Sequence, residues 1–389
     1  MNFELTEEQK LLKRNARDFM DREIRPLADE YEKIYRPLPK DVHVELFKKI
    51  APLGLVGGLV PVEDGGAGLD YMSYGMLMEE LSRAFASLAI SEVPQHAPGA
   101  LALSIEGSDE LKEKYLEPFM AGEKICAFGL TEPDVGTASR DVKTMAVLQG
   151  DEWVINGTKV WITNGENADL LMLIAQADDG QGNKGVSRFF VEREHSPFGA
   201  RELHKLGFRS CPTSELSFED CRVPKGNIIG EVGQGYSGAV NRIFPVLRVG
   251  LSMLAVGLCQ AALETAVSYA QERKQFGRPI GKFQLVQELI ADMAVETEAA
   301  RLLSLQACDC IQRGENPVKA CCMAKGFAPE VALRVTSKAI EVHGAVGISE
   351  EYAIERYFRD ARTLIIPDGT TEVQKLVIGR EVLGMAAFV

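Results

Sequence analysis

Residues 142–163 read Val-Lys-Thr-Met-Ala-Val-Leu-Gln-Gly-Asp-Glu-Trp-Val-Ile-Asn-Gly-Thr-Lys-Val-Trp-Ile-Thr. β-Branched and aromatic residues crowd this stretch, and turn residues break it at intervals too short for a helix. Val142–Leu148 and Trp153–Ile155, joined through Gln149-Gly150-Asp151-Glu152, are expected to form a hairpin. Asn156-Gly157 is expected to make a second tight turn before Thr158–Thr163. Further runs at Leu170–Ala177, Ser187–Glu192 and Glu215–Phe218 extend the pattern to a predominantly antiparallel β unit over 124–235.

On either side the period changes to that of helices. Residues 1–123 form an expected helical domain, in which Leu11, Leu12, Ala16, Phe19 and Met20 make one stripe, with similar stripes at 41–51, 72–84 and 109–120. Pro and Gly cluster at 52–69 as a loop. After Gly235, long apolar or amphipathic segments at 236–272, 281–312, 316–343 and 371–385 predict a four-helix bundle over 236–389. Their uniform apolarity points to burial between subunits as well. The expected fold class is α+β, with a helical domain, a middle antiparallel β domain and a helical bundle in that order.

Composition narrows the function. The 389-residue chain exceeds one ordinary core, and its 46% hydrophobic and 25% charged residues are those of a globular protein. A formal charge of −13 argues against nucleic acid or an anionic membrane as partner. The N-terminus lacks the features of a signal or transit peptide, and apolar runs fall short of a membrane span, so a cytoplasmic protein is expected. The eight cysteines show no C-x-x-C pairing and no His partner at zinc-site spacing, so reduced core thiols are expected and no metal.

Short motifs then accumulate along the whole chain. They include Leu130-Thr131-Glu132-Pro133 with Gly136-Thr137, Trp161-Ile162-Thr163-Asn164, Lys205-Leu206-Gly207 and Glu219-Asp220-Cys221-Arg222-Val223-Pro224. Gly233-Gln234-Gly235-Tyr236, Arg273-x-x-Phe276-Gly277, His343-Gly344-x-x-Gly347, Tyr357-Phe358-Arg359-Asp360 and Asp368-Gly369-Thr370-x-Glu372 follow in order. Jointly these resemble the acyl-CoA dehydrogenase family over essentially the full chain.

The resemblance implies an FAD enzyme that removes hydrogen across Cα–Cβ of an acyl-CoA thioester. It implies electron-transfer flavoprotein as electron acceptor and a homotetramer whose FAD sites are completed across subunits. Leu130, Thr131, Gly136 and Thr137 match the family's flavin loop, and Trp161 and Thr163 its ring-packing aromatic and flavin hydrogen-bond donor. On its own, Trp161 reads as a sheet-core residue. Arg273 and Phe276 match contacts to the adenine–diphosphate part of FAD in a neighbouring subunit, and Gly344 and Gly347 a close backbone approach to the dinucleotide. Glu341 stands where the family often carries Gln. Thr370 and Glu372 match adenine-side contacts, while Thr371 with Gln374 also fits a capping box. Arg248 matches an arginine turned toward the thioester; it lies in an otherwise apolar run, where a charge needs a partner.

The chemistry needs a base at Cα. Most family members carry Glu in a Tyr-Glu-Gly-Thr turn, where this chain has Pro367-Asp368-Gly369-Thr370. A minority place the base on the helix before Arg248, where Leu247 stands, so Asp368 is the carboxylate left for the role. Asp reaches about 1.3–1.5 Å less than Glu. With Pro367 in place of Tyr, this suggests an alicyclic or branched acyl group, for instance cyclohexanecarboxyl-CoA. Gly369 belongs to the same substrate-side turn. Glu92, in Ser91-Glu92-Val93-Pro94-Gln95-His96, matches the acyl-pocket region and reads either as a substrate contact or auxiliary base, or as a solvated loop carboxylate. His96 reads as a hydrogen-bonded structural residue. The rival functions are a flavin oxidase on the same scaffold, such as a nitroalkane oxidase with its Asp base, and a non-catalytic flavin-binding relative.

Overall fold

The computed structural model describes residues 5–237 and 240–387. The N-terminal helices are α1 (Glu7–Phe19), α2 (Arg25–Glu32), α3 (Lys40–Ile50), α4 (Tyr71–Pro94), α5 (Ala102–Glu106) and α6 (Asp109–Met120). Thr6 opens α1 through a reciprocal capping box with Gln9. α4 is buried from Ser73 to Pro94, with a kink at Phe85 where the backbone leaves helical angles. Leu11, placed on the apolar stripe by sequence, is instead 50% exposed.

The middle of the chain forms β1 (Cys126–Gly129), β2 (Met145–Gln149), β3 (Glu152–Thr163), β4 (Leu170–Asp178), β5 (Lys184–Glu192), β6 (Gly199–Glu202), β7 (Thr213–Pro224) and β8 (Ile228–Ile229). They make one eight-stranded sheet in the order β6-β7-β3-β2-β4-β5-β8, with β1 also on β4. Most ladders are antiparallel, as expected, but β1 and β2 both lie parallel to β4, one at each end of it. The hairpin at Gly150 forms, Gln149 pairing with Glu152. Asn156-Gly157 does not turn: β3 runs straight through it, and the register against β7 shifts between Ile155 and Gly157. Gly157 is needed because a Cβ there would stand 2.5 Å from the Thr144 hydroxyl.

The C-terminal helices are α7 (Val240–Glu272), α8 (Gln284–Gln312), α9 (Val318–His343), α10 (Ile354–Leu364) and α11 (Thr371–Leu383), with a small hairpin of β9 (Lys274–Gln275) and β10 (Arg278–Pro279) between α7 and α8. The expected four helices are thus joined by a fifth, α10, which buries Ile354, Tyr357, Ala361 and Leu364 along one face. Within α7, Ile243–Glu272 is long and apolar enough to cross a membrane, contrary to the sequence reading; 83% of its most apolar window is buried inside the fold, as in a core helix. α4, α7 and α9 share the largest hydrophobic cluster through Leu77, Leu81, Met253, Leu254, Val331 and Val335. All eight cysteines are free and buried.

Candidate active site

Between α10 and α11 the chain makes a turn whose conformation is unusual for its residues. Asp368 has φ +52°, the left-handed region that costs a non-glycine residue about 1–2 kcal/mol, and Gly369 follows at +92°. Thr370, not Thr371, is the N-cap of α11, its hydroxyl accepting from the Val373 N–H at 3.4 Å. The expected pairing of Thr371 with Gln374 does not form. Gln374 is buried and turns back, Nε2 donating to the carbonyls of Asp368 (3.1 Å) and Gly369 (3.0 Å). From α9, the fully buried Lys325 donates to the carbonyls of Ile365 (3.1 Å) and Gly369 (2.7 Å). The carbonyls of Ile365, Asp368 and Gly369 are thereby occupied, while among the described residues no donor hydrogen-bonds the Asp368 carboxylate.

Asp368 keeps part of its surface accessible, yet its carboxyl lies deep enough that burial pushes its pKa up, with the charges of Lys325 and then Arg248 pulling it down. Burial likewise lowers Lys325, to about 8, opposed by Asp368 and reinforced by Arg248. Arg248 on α7 has a buried Nε without a protein partner and lies over the Phe244 ring at 5.9 Å. Leu247 beside it is buried in the core. The structure therefore brings Arg248, Lys325 and Asp368 together. The last of these alone is a carboxylate.

A second group forms on the sheet. Between Lys159 and Ile162 the β3–β7 register shifts again, and Trp161 sits there at φ +63° with 57% of its surface exposed. It is no core residue. The loop opposite is strapped to β3: the Val160 N–H donates to the Thr131 carbonyl at 2.9 Å, and the buried Lys159 donates to the Leu130 carbonyl (2.9 Å) and to Glu132 (2.7 Å). Glu132 also accepts from the backbone N–H of Lys143 (2.6 Å) and Thr144 (2.9 Å). Asn164 ties the end of β3 to the helices by donating to the carbonyls of Ser91 (2.8 Å) and Cys126 (3.0 Å). Leu130 and Thr131 are thus held against Lys159 and Val160, next to Trp161, while Thr163 stands two residues on at the end of β3 and Gly136 and Thr137 are on the exposed loop beyond. An exposed indole, with the Thr131 and Thr163 hydroxyls finding no protein partner among the described residues, suits the face and polar edge of a flavin ring. Phe244 meets Phe128 of β1 edge-on at 6.3 Å and lies under Arg248 at 5.9 Å.

Other candidates lie apart. Arg273 and Phe276 are on the exposed β9–β10 hairpin, Phe276 87% exposed with φ +51°. Gly344 caps α9 at φ +66°, and Glu372 is exposed on the first turn of α11. Glu92 is neither solvated nor in a loop. It is fully buried in α4, accepting from the Tyr74 hydroxyl (3.1 Å) and the Val56 N–H (3.3 Å), with His96 Nδ1 3.1 Å away. His96 accepts from the Leu59 N–H at 3.3 Å, so it is hydrogen-bonded within the fold, as expected. Sequence reasoning missed Lys325 and gave Gln374 only a capping role, not its hold on the carbonyls of Asp368 and Gly369. The signal for Lys325 was present, a lone charge in the apolar run Cys-Cys-Met-Ala-Lys-Gly-Phe-Ala, the same signal that singled out Arg248.

Three family models match the chain: acyl-CoA dehydrogenase N-terminal domain over 6–123, middle domain over 127–221 and C-terminal domain over 233–383. The chain is 43% identical over 388 residues to cyclohex-1-ene-1-carbonyl-CoA dehydrogenase of Syntrophus aciditrophicus, covering 98% of this chain and 91% of that one. It is 39% identical over 378 residues to the caffeyl-CoA reductase-Etf complex subunit CarC of Acetobacterium woodii, covering 96% and 97%. The solved structure of butyryl-CoA dehydrogenase from Megasphaera elsdenii superposes with a TM-score of 0.91 at 35% identity, covering 98% of this chain and all of the other.

Proposed function

The chain belongs to the acyl-CoA dehydrogenase family, FAD-dependent oxidoreductases that desaturate acyl-CoA thioesters, and on that footing we propose that it acts on an alicyclic or branched acyl-CoA with Asp368 as the base that removes the α-proton. The observation that carries this reading is the free carboxylate of Asp368, on a turn tied down by Lys325 and Gln374, within the fields of Lys325 and Arg248 and raised in pKa by burial. A carboxylate so placed gains basicity without losing its charge to a salt bridge. Bound FAD supplies the acceptor for the hydride that leaves Cβ. Leu130, Thr131, Trp161 and Thr163 would hold its ring system, Gly136 and Thr137 its phosphate side, and Arg248 with Gly369 the thioester.

The side chain's short reach supports a non-linear acyl group. A misplacement of about 1 Å can cost about 100-fold in rate, so a linear chain seated for Glu would be turned over poorly by Asp368. The relative named for cyclohex-1-ene-1-carbonyl-CoA points the same way. Electron-transfer flavoprotein is the proposed electron partner, in keeping with the Etf complex to which CarC belongs. A homotetramer is supported by apolar side chains left exposed on α8 (Leu285, Val295) and α11 (Leu376, Val382, Leu383), and by the exposed hairpin with Phe276, which suits an FAD site shared with a neighbour through Arg273, Gly344, Thr370 and Glu372. Anaerobic mixing with linear, branched and ring thioesters tests the substrate reading by bleaching of the flavin absorbance. Ring or branched thioesters are expected to bleach fastest; fastest reduction by butyryl-CoA would reject the assignment.

A further inference from the structure

We propose that Lys325 is a positioning residue for this reaction: its buried ammonium pins both ends of the turn that carries Asp368 and sets a positive charge beside that carboxyl group. The inference rests on Asp368 being the base.

A left-handed, non-glycine backbone persists only where its surroundings over-determine it. Lys325 spans the turn from the Ile365 carbonyl to that of Gly369, and Gln374 holds the carbonyls of Asp368 and Gly369 from the other side. With the carbonyls tied down, the Asp368 side chain is the part left free to point elsewhere. A fully buried ammonium is costly unless compensated. Two carbonyls and the nearby Asp368 charge provide that compensation.

The charged groups around Lys325 are Asp368, Arg248, Glu330 and Glu372, and those acting on Asp368 are Lys325 and Arg248. The Lys325 charge favours the ionised, proton-accepting form of Asp368 while burial disfavours it. A lysine that only satisfied the C-terminal carbonyls of α10 would contribute stability and nothing to this titration.

The test uses the FAD-loaded full chain and follows flavin reduction at saturating thioester from pH 5 to 9 in the parent, K325M, K325Q and D368N. Amide hydrogen exchange over 366–370 is measured in parallel. In K325M the limiting rate should fall about 100-fold with little change in KM, the turn amides should exchange faster, and the midpoint of the acid limb should move to higher pH. K325Q keeps donors but not charge, so its midpoint should move the same way. If K325M does not fold, K325Q decides by that midpoint alone. A midpoint in the folded variants equal to the parent's overturns the inference, whatever happens to the rate. D368N separates the two claims: parent-like activity there removes the base itself, whereas an inactive D368N with unmoved Lys325 midpoints removes only the role of Lys325.

Discussion

Replacing Glu132 by leucine should unstrap the proposed flavin loop. Glu132 is 5% exposed and accepts from Lys159 Nζ at 2.7 Å and from two backbone N–H groups at 2.6 and 2.9 Å. E132L leaves a fully buried ammonium with the Leu130 carbonyl but no counter-charge, and strips the acceptor from the buried Thr144 amide and the part-buried Lys143 amide. Removing one partner of a buried ion pair costs about 3–5 kcal/mol, whereas replacing both by apolar residues is often near neutral. The double variant E132L/K159M should therefore recover much of the loss, keeping a deficit of about 1–3 kcal/mol for the buried Thr144 amide. Lys159 adds a pH signature. Burial has already lowered its pKa to about 8, opposed by Glu132, so without that carboxylate it sheds its proton more readily and the E132L deficit should shrink in mild alkali. Urea unfolding followed by tryptophan emission reads the stability, since Trp161 is next to Val160, which holds the loop. FAD retained after gel filtration reads the function. A loss of about 3–5 kcal/mol with weakened FAD retention is expected. Stability within about 1 kcal/mol of the parent and full FAD retention in E132L would refute the role assigned to this pair.

Two further outcomes follow from other residues. His43 is fully buried between Ser91 and Asn167, and burial pushes its pKa down to about 3, with Lys40 adding to the effect. The unfolded chain then takes up a proton below about pH 6.5 that the folded protein refuses. Stability from this group is complete above that pH and is lost on acidification toward pH 3, by at most roughly 5 kcal/mol at 1.36 kcal/mol per pH unit; H43Q should flatten stability against pH over this window in urea titrations. W161G should relieve left-handed strain, gaining about 1 kcal/mol in the FAD-free protein, while weakening FAD binding by about 10-fold or more as titrated by flavin fluorescence; unchanged FAD affinity would separate the indole from the cofactor.

The α–β–α order was legible because the hydrophobic period changes from about 3.6 to 2 and back near residues 124 and 235, and local patterning carries that information. Pairing between distant strands is another matter. Nothing near Cys126 or Met145 in sequence states that both strands run parallel to β4. Asn156-Gly157 reads as a turn from local statistics, yet the glycine serves a close approach to Thr144, visible only once β2 and β3 pair. Glu92 misled for a similar reason, since the groups that permit its burial, Tyr74 and the Val56 amide, lie far away in sequence. At the site, the turn and Arg248 stood out as a special motif and an isolated charge. Lys325 obeys the same rule as Arg248, and only its contacts with Ile365 and Gly369 reveal what that charge does.

The most direct measurement is the rate of anaerobic flavin bleaching in D368N, holding bound FAD, when mixed with its best thioester substrate. With the carboxylate replaced by an amide of nearly the same shape, reduction should fall by at least about 100-fold while the thioester still binds. Bleaching at the parent's rate would show that some other group takes the α-proton.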